Sequence, residues 1–222
     1  MGAKARRSAK IGWLEDKDVG SEVENAAVTD IQFEIQGNRL PKDHGYALFL
    51  ELSRLLPWLA TEEMVGIHAM HGSDIGQGEL ILNRRAKLVV RVPKTRSSDL
   101  MALTGSCIHI GENDLTIGKG KARSLSLHIP LYAHCVTTGS DEEVAFAKDV
   151  IRLLDEMRVT CRFICGRRQI ITTAAGKASG YSLMLHDLPL EQAIMVQEIG
   201  LGSNRTIGCG IFIPHKSINA LS

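Results

Sequence analysis

Eight histidines, a glycine-rich run near the C-terminal end and two dense basic segments are the parts of this 222-residue chain with chemistry to offer. His44 stands where a helix should begin, just after the loop residues Gly37, Asn38 and Pro41. The positive end of a helix macrodipole disfavours an imidazolium, so His44 is expected to be neutral and able to accept a proton. The same helix end can hold a phosphate. His68 and His71 follow at the end of a short predicted strand. A His-x-x-His pair on a strand projects to opposite faces, so zinc is not expected there. His109, His128, His134, His186 and His215 have no paired spacing and read as structural or exposed. Cys161 and Cys165 lack a second pair for a metal and read as buried thiols.

Two Gly-apolar-Gly pairs, Gly200-Leu201-Gly202 and Gly208-Cys209-Gly210, bracket Ser203, Asn204, Arg205, Thr206 and Ile207. This is not a dinucleotide fingerprint. Arg205 occupies the third glycine's place, and the run follows a predicted helix instead of opening one. No Gly-x4-Gly-Lys-Ser/Thr loop occurs in the chain. Closely spaced glycines let backbone N–H groups approach a phosphate. The alternative is a helix C-cap at Gly200 followed by a close crossing of backbones beside a sheet.

Net charge is only +1, but its distribution is uneven. Arg84, Arg85, Lys87, Arg91, Lys94, Arg96, Lys119, Lys121 and Arg123 face only three acids within the same stretch, Asp99, Glu112 and Asp114. Arg162, Arg167, Arg168 and Lys177 have no acid between them. Segregation of this kind can build a basic face for nucleic acid on a nearly neutral molecule. The other reading is solvated loops of mixed sign.

The elements that must position these groups follow from pattern. A chain 44% hydrophobic and 23% charged folds as a globular protein. Its length suits one large or two small domains. No apolar run reaches the roughly 18–20 residues of a membrane span. The basic start has no apolar segment after it, which argues against secretion. Five cysteines at irregular spacing suggest reduced thiols and a cytoplasmic location. Residues 1–29 read as an extension. Ile31, Phe33 and Ile35 alternate as a strand. Asp43 is the expected N-cap of a helix that ends before Pro57, with Leu48, Leu52, Leu55 and Leu56 as its stripe. A turn at 61–64 leads to strands at 66–70, 79–82 and 87–92, a short helix ending at Leu103, and strands at 107–110 and 115–117.

The order then repeats. A strand at 131–137 precedes a helix capped by a Ser140/Glu143 box, with Val144, Ala147, Val150, Ile151, Leu154 and Met157 as its stripe. Strands at 160–165, 169–173 and 181–186, a helix at 190–199 and a strand at 210–213 complete it. Strand–helix–strand–strand–helix–strand is the ferredoxin-like order. The expected class is therefore α+β, a tandem pair of ferredoxin-like (RRM-like) domains with antiparallel sheets. They span 30–125, with the histidine-bearing helix, and 126–222, with the glycine-rich loop.

A Gly-φ-Gly-x5-Gly-φ-Gly loop before the last strand of a second ferredoxin-like domain resembles the RAMP superfamily of CRISPR-associated proteins. Within it the chain looks like a short CRISPR repeat-processing endoribonuclease. The resemblance extends to Leu40-Pro41-Lys42-Asp43-His44-Gly45-Tyr46-Ala47-Leu48 with Leu52-Ser53-Arg54-Leu55-Leu56-Pro57, to Val65-Gly66-Ile67-His68 and to Gly180-Tyr181-Ser182-Leu183. Together these cover about residues 30 to 214.

The resemblance implies binding to the repeat hairpin of a precursor CRISPR transcript and metal-independent cleavage by the ribose 2′-OH. The products would be a 2′,3′-cyclic phosphate and a 5′-OH end on mature guide RNA. Such chemistry needs a base, an acid and cations for the phosphorane. His44 is the first candidate for proton transfer, His68 the second, and Tyr46 could orient His44 or the phosphate. Lys42 and Arg54 are candidate charge stabilisers. The RNA surface would combine Gly200, Gly202, Arg205, Gly208 and Gly210 with Arg84, Arg85, Lys119, Lys121, Arg123, Arg167 and Arg168. No cofactor, metal or membrane is implied. Partners would be the repeat or guide RNA and, if the enzyme stays bound, other effector-complex subunits. The alternatives are a non-catalytic RAMP-type RNA-binding scaffold and a ferredoxin-like domain with a small ligand.

Overall fold

Alternation along one strand sets the first sheet. In β1 (Val28–Gln36), Ile31 and Phe33 are fully buried while Asp30 and Gln32 turn to the opposite face. The computed structural model describes residues 25–215. β1 thus begins inside the stretch expected as an extension, of which residues 1–24 lie outside the described residues.

The N-terminal half continues through β2 (Arg39–Pro41), α1 (Gly45–Leu55), β3 (Gly66–Ile67), β4 (Ser73–Asp74), β5 (Glu79–Ile81), β6 (Lys87–Pro93), α2 (Ser97–Met101), β7 (Cys107–Ile110) and β8 (Asn113–Arg123). Five strands pair in the order β3-β6-β1-β8-β7, and every pair is antiparallel. Without the edge strand β7, that is the ferredoxin-like order, with the first strand between the third and the fourth. β2, β5 and β4 make a small separate sheet. Leu48 and Leu52 of α1 are buried against Phe33, Leu88, Val90 and Ile117 in one apolar core. Each such side chain contributes roughly 1.5–3 kcal/mol by leaving water.

The C-terminal half contains β9 (Leu131–Val136), α3 (Glu143–Glu156), β10 (Arg162–Thr173), β11 (Gly176–His186), α4 (Leu190–Ile199) and β12 (Ile213–Pro214). Its sheet runs β10-β11-β9-β12, the same strand order again. The molecule is α+β with tandem ferredoxin-like folds. A second core joins Phe146, Val150, Tyr181, Leu183, Val196 and Phe212.

Several local expectations change in three dimensions. Asp43 does not cap α1; His44 is the N-cap residue, without a side-chain cap bond. Asp43 instead accepts from the backbone N–H and hydroxyl of Thr172 and from Lys177, across to the other domain. The Ser140/Glu143 box does not form, because Ser140 donates its hydroxyl to Asp149. α3 buries Phe146, Val150 and Leu154, leaving the expected stripe members Val144 and Ile151 exposed. The two strands expected over 160–173 are one strand, β10, with a register shift between Cys165 and Arg168. The turn expected at 61–64 forms, with the Val65 N–H on the Glu62 carbonyl at 3.3 Å, and follows a 3-10 helix at Pro57–Ala60 that the pattern did not show. The strand expected over 66–70 pairs only at Gly66–Ile67. The strand expected over 210–213 lies instead at Ile213–Pro214, with Ile211 and Phe212 buried just before it.

The halves are pinned by a buried ion pair. The Arg91 side chain, 1% exposed, gives Nε and Nη2 to Asp30 at 2.7 and 2.9 Å. Its Nη1 reaches across to the carbonyls of Gln197 and Phe212 at 2.7 and 2.9 Å. Arg91 therefore belongs to the domain junction and not to a basic surface.

Candidate active site

α1 ends its N-terminal turn against the glycine-rich segment. A side chain at Gly45 would strike the Ile207 carbonyl, so glycine is needed for that approach. The contact brings five segments around one cavity of about 260 Å³. Lys42, Asp43, His44 and Gly45 come from the foot of α1, and Ala69, Met70, His71 and Gly72 from the segment after β3. His134 and Cys135 come from β9, Gln169 and Thr172 from β10, and Ile207, Gly208 and Cys209 from the glycine-rich loop.

His44 forms the wall of this cavity and is only 3% exposed. Its Nδ1–H donates to the Pro41 carbonyl at 2.8 Å. Its Nε2 accepts the Met70 backbone N–H at 2.9 Å. That pattern fixes one neutral tautomer, with the proton on Nδ1 and the lone pair on Nε2. Burial pushes the His44 pKa below its ordinary value, and the backbone carbonyls around it offset this only in part. Neutrality therefore comes mainly from desolvation. His44 is thus part of the interior as well as of the cavity wall.

The other histidines sort by their neighbours. His68 packs beside the ion pair at the junction, its Nε2 3.6 Å from Asp30. That nitrogen is buried without a hydrogen-bond partner among the described residues. Burial lowers the His68 pKa, against the pull of Asp30. His71 and His134 stand in the cleft with ring centroids 5.6 Å apart and planes at 84°, an edge-on pair drawn from the two domains. Burial and the neighbouring His71 lower the His134 pKa. Tyr46 is half-buried with its ring 6.5 Å from Phe49 and does not line the cavity.

Shared lining residues extend the cavity into a groove. On one side a space of about 580 Å³ keeps Lys42, Asp43, His134 and Gln169 and adds Arg167 and Arg168. On the other, His71 and Ala69 lead to a space of about 340 Å³ with Asp30, Gln32, His68, Arg85 and Lys87. Lys42 is held at 2.7 Å by Asp74 on the groove wall. Lys121 and Arg123 are exposed on β8, opposite Gln32 and Asp30 of β1, and Lys119 is exposed on the same strand. Arg84 is exposed beside Arg85, and Arg54 pairs with Glu51 along α1, away from the cavity.

The glycine-rich loop has two kinds of glycine. Gly200, Gly202 and Gly210 have φ of +78°, +78° and +65°. Side chains there would strike the carbonyls of Gly210, Thr137 and Leu201 respectively. Close backbone crossing accounts for these three. Gly208, at φ +98°, lines the cavity beside Ala69. Arg205 points inward. Its Nη1 donates to the Ile199 carbonyl, while Nε and Nη2 are buried without a partner among the described residues. Burial, then the charge of Arg91, push it down to about 10. This placement differs from the surface role expected of Arg205.

Sequence spacing missed His134, Gln169 and Thr172. The one available signal was the alternation in β9, where Tyr132 and His134 fall on the face opposite the buried Leu131 and Ala133. Among the described residues, no group of three or more His, Cys, Asp or Glu side chains is arranged to hold a metal ion. No helix among them is long and apolar enough to cross a membrane.

Comparisons agree with this architecture. The chain is 33% identical over 186 residues to the CRISPR-associated endonuclease Cas6 of Myxococcus xanthus (strain DK1622), covering 83% of this chain and 80% of that protein. Among solved structures, a RAMP protein described as binding different RNA substrates superposes with a TM-score of 0.63 at 12% identity. The alignment covers 85% of this chain and 100% of that one. A Cas6-related protein from Pyrococcus furiosus gives 0.58 at 12% identity, over 83% and 97%. At these identities the two structures speak to the fold alone. The sequence model described as Cas6 Crispr matches residues 29–217, and the chain belongs to the Cas6 family.

Proposed function

We propose that this protein is an endoribonuclease that binds the repeat hairpin of a precursor CRISPR transcript in the groove and cuts it once per repeat. The ribose 2′-OH attacks the adjacent phosphorus, leaving a 2′,3′-cyclic phosphate and a 5′-OH end. The observation that carries this is the state of His44. It is a neutral imidazole with its lone pair on Nε2, at the side-chain-uncapped N-terminus of α1, in the wall of a groove flanked by arginines. A neutral imidazole there accepts the 2′-OH proton once the hydroxyl takes the place of the Met70 N–H. The free N–H groups of α1, with Lys42, hold the scissile phosphate. Arg167 and Arg168 on one side, and Arg85, Lys87, Lys121 and Arg123 on the other, neutralise the flanking backbone. Gly208 permits close approach at the cleft. No metal or cofactor enters the scheme. The protein works in the cytoplasm and keeps its guide RNA as a subunit of the effector complex.

A non-cleaving RNA-binding scaffold is the alternative, favoured by the fact that both nitrogens of His44 are already bonded. Incubation of cognate repeat RNA with purified protein in EDTA separates the two. Cutting that stops when the cut-site ribose is 2′-deoxy, with binding retained, supports the nuclease. Binding without cutting of either RNA supports the scaffold. Cutting that needs added magnesium or manganese overturns the metal-free scheme.

A further inference from the structure

His44 can take one proton, but cleavage of this kind also has to deliver one to the departing 5′ oxygen. Lys42 is tied to Asp74 at 2.7 Å. His68 is turned into the Asp30–Arg91 junction. His109 pairs with Asp114, His186 lies 3.2 Å from Asp187, and His215 packs on Tyr132. None of these three lines the His44 cavity.

His71 is placed differently. It is exposed, it lines the cavity with His44, and it lies within electrostatic range of His44, His68 and His134. Its backbone is anchored on both sides. The Met70 N–H is bonded to His44, and Gly72 lies so close to the Ile81 carbonyl that a side chain would strike it. His134 meets its ring edge-on from the opposite domain. A titratable side chain thus hangs into the cleft from a held segment, and its ring is held from across the cleft.

We propose that His71 is the second catalytic group, the acid that protonates the leaving 5′ oxygen, and that His134 is the positioning residue that holds its ring. The proposal rests on the 2′-OH mechanism above. As the bond from O2′ to phosphorus forms, the hydroxyl proton passes to Nε2 of His44. As the bond from phosphorus to O5′ breaks, the proton of the His71 imidazolium passes to O5′. Both histidines then exchange protons with water and return to their starting states.

The test replaces the 5′ oxygen at the cut site by sulfur, a leaving group that needs no proton. His71→Ala should bind repeat RNA normally and cut the ordinary RNA about 10²- to 10⁴-fold more slowly. It should cut the sulfur-containing RNA at close to the wild-type rate. His44→Ala should be slow on both. His134→Ala should show a smaller loss with the same rescue, and His134→Phe, which keeps an edge contact, should recover the ordinary rate. If His71→Ala cuts ordinary RNA normally, or is equally slow on both RNAs, the assignment is overturned. If wild-type protein cuts neither RNA, the nuclease reading itself falls, and the His71 role with it.

Discussion

Met70 donates its backbone N–H to Nε2 of His44 at 2.9 Å, joining the foot of α1 to the segment that carries His71. The nitrogen proposed to accept the substrate proton is the one that organises the resting cleft. The same bond makes His44 a structural residue as well as a chemical one.

His44→Ala should therefore lose more than activity. Cleavage is expected to fall about 10²- to 10⁴-fold. The buried Met70 N–H and Pro41 carbonyl also lose their partner, at roughly 1–3 kcal/mol for each group left unsatisfied. A thermal melt should show a clear drop in Tm. An unchanged Tm would mean that water or a backbone shift replaces the ring.

Acid should loosen the fold before it protonates the carboxylates. His44, His68 and His134 all have pKa values below the ordinary 6.5, in each case chiefly through burial. A depressed folded-state pKa means that the unfolded chain binds the proton more readily. Stability from the neutral histidines is full above about pH 6.5 and is lost as pH falls through the lower folded-state values. Denaturant midpoints should decrease from pH 7 towards pH 5. A flat profile across that window would contradict the burial of these rings.

The Asp30–Arg91 pair should behave as a unit. Burial alone would raise the Asp30 pKa, but the charge and hydrogen bonds of Arg91 hold it well below the ordinary carboxylate range. Its stabilisation persists above the unfolded value near 4 and disappears only in strong acid. Asp30→Ala leaves a buried guanidinium unpaired and should cost about 3–5 kcal/mol. Equilibrium unfolding in urea measures this directly.

Gly202→Val should act on folding before it acts on RNA. Its φ of +78° suits glycine, and a side chain would meet the Thr137 carbonyl. The variant is expected to melt earlier, with RNA binding lost in proportion to the unfolded fraction. Selective loss of binding in a fully folded variant would return this glycine to the RNA surface.

RNA affinity should fall steeply with salt, because arginines and lysines along the groove neutralise phosphates. Replacing both Arg167 and Arg168 by Ala should reduce the log–log salt slope by about 2 and leave Tm nearly unchanged. Filter binding over a salt series reads this. An unaltered slope would place the RNA elsewhere.

The chain's own pattern determined the two ferredoxin-like units. Period-2 alternation at Ile31 and Phe33 and the leucines of α1 are local signals, and they survive in the fold because each places an apolar face on one core. The end of α4 was legible for a different reason, because Gly200 closes it as a C-cap. Local signals failed where a partner distant in sequence competed. Asp43 has the chemistry of a helix cap, yet Thr172 and Lys177 offer it more hydrogen bonds. Val144 and Ile151 have the right spacing for a stripe, but Phe146 faces the sheet instead. Basic residues look alike in sequence, and only packing separates the buried Arg91 and the inward Arg205 from the groove-lining Arg167 and Arg168. The histidine cluster was least legible of all. His44, His71 and His134 meet only because Gly45 lets α1 press against Ile207, closing the two domains around one cleft. Residue type determined which groups could move a proton, and tertiary packing decided which of them share a cavity.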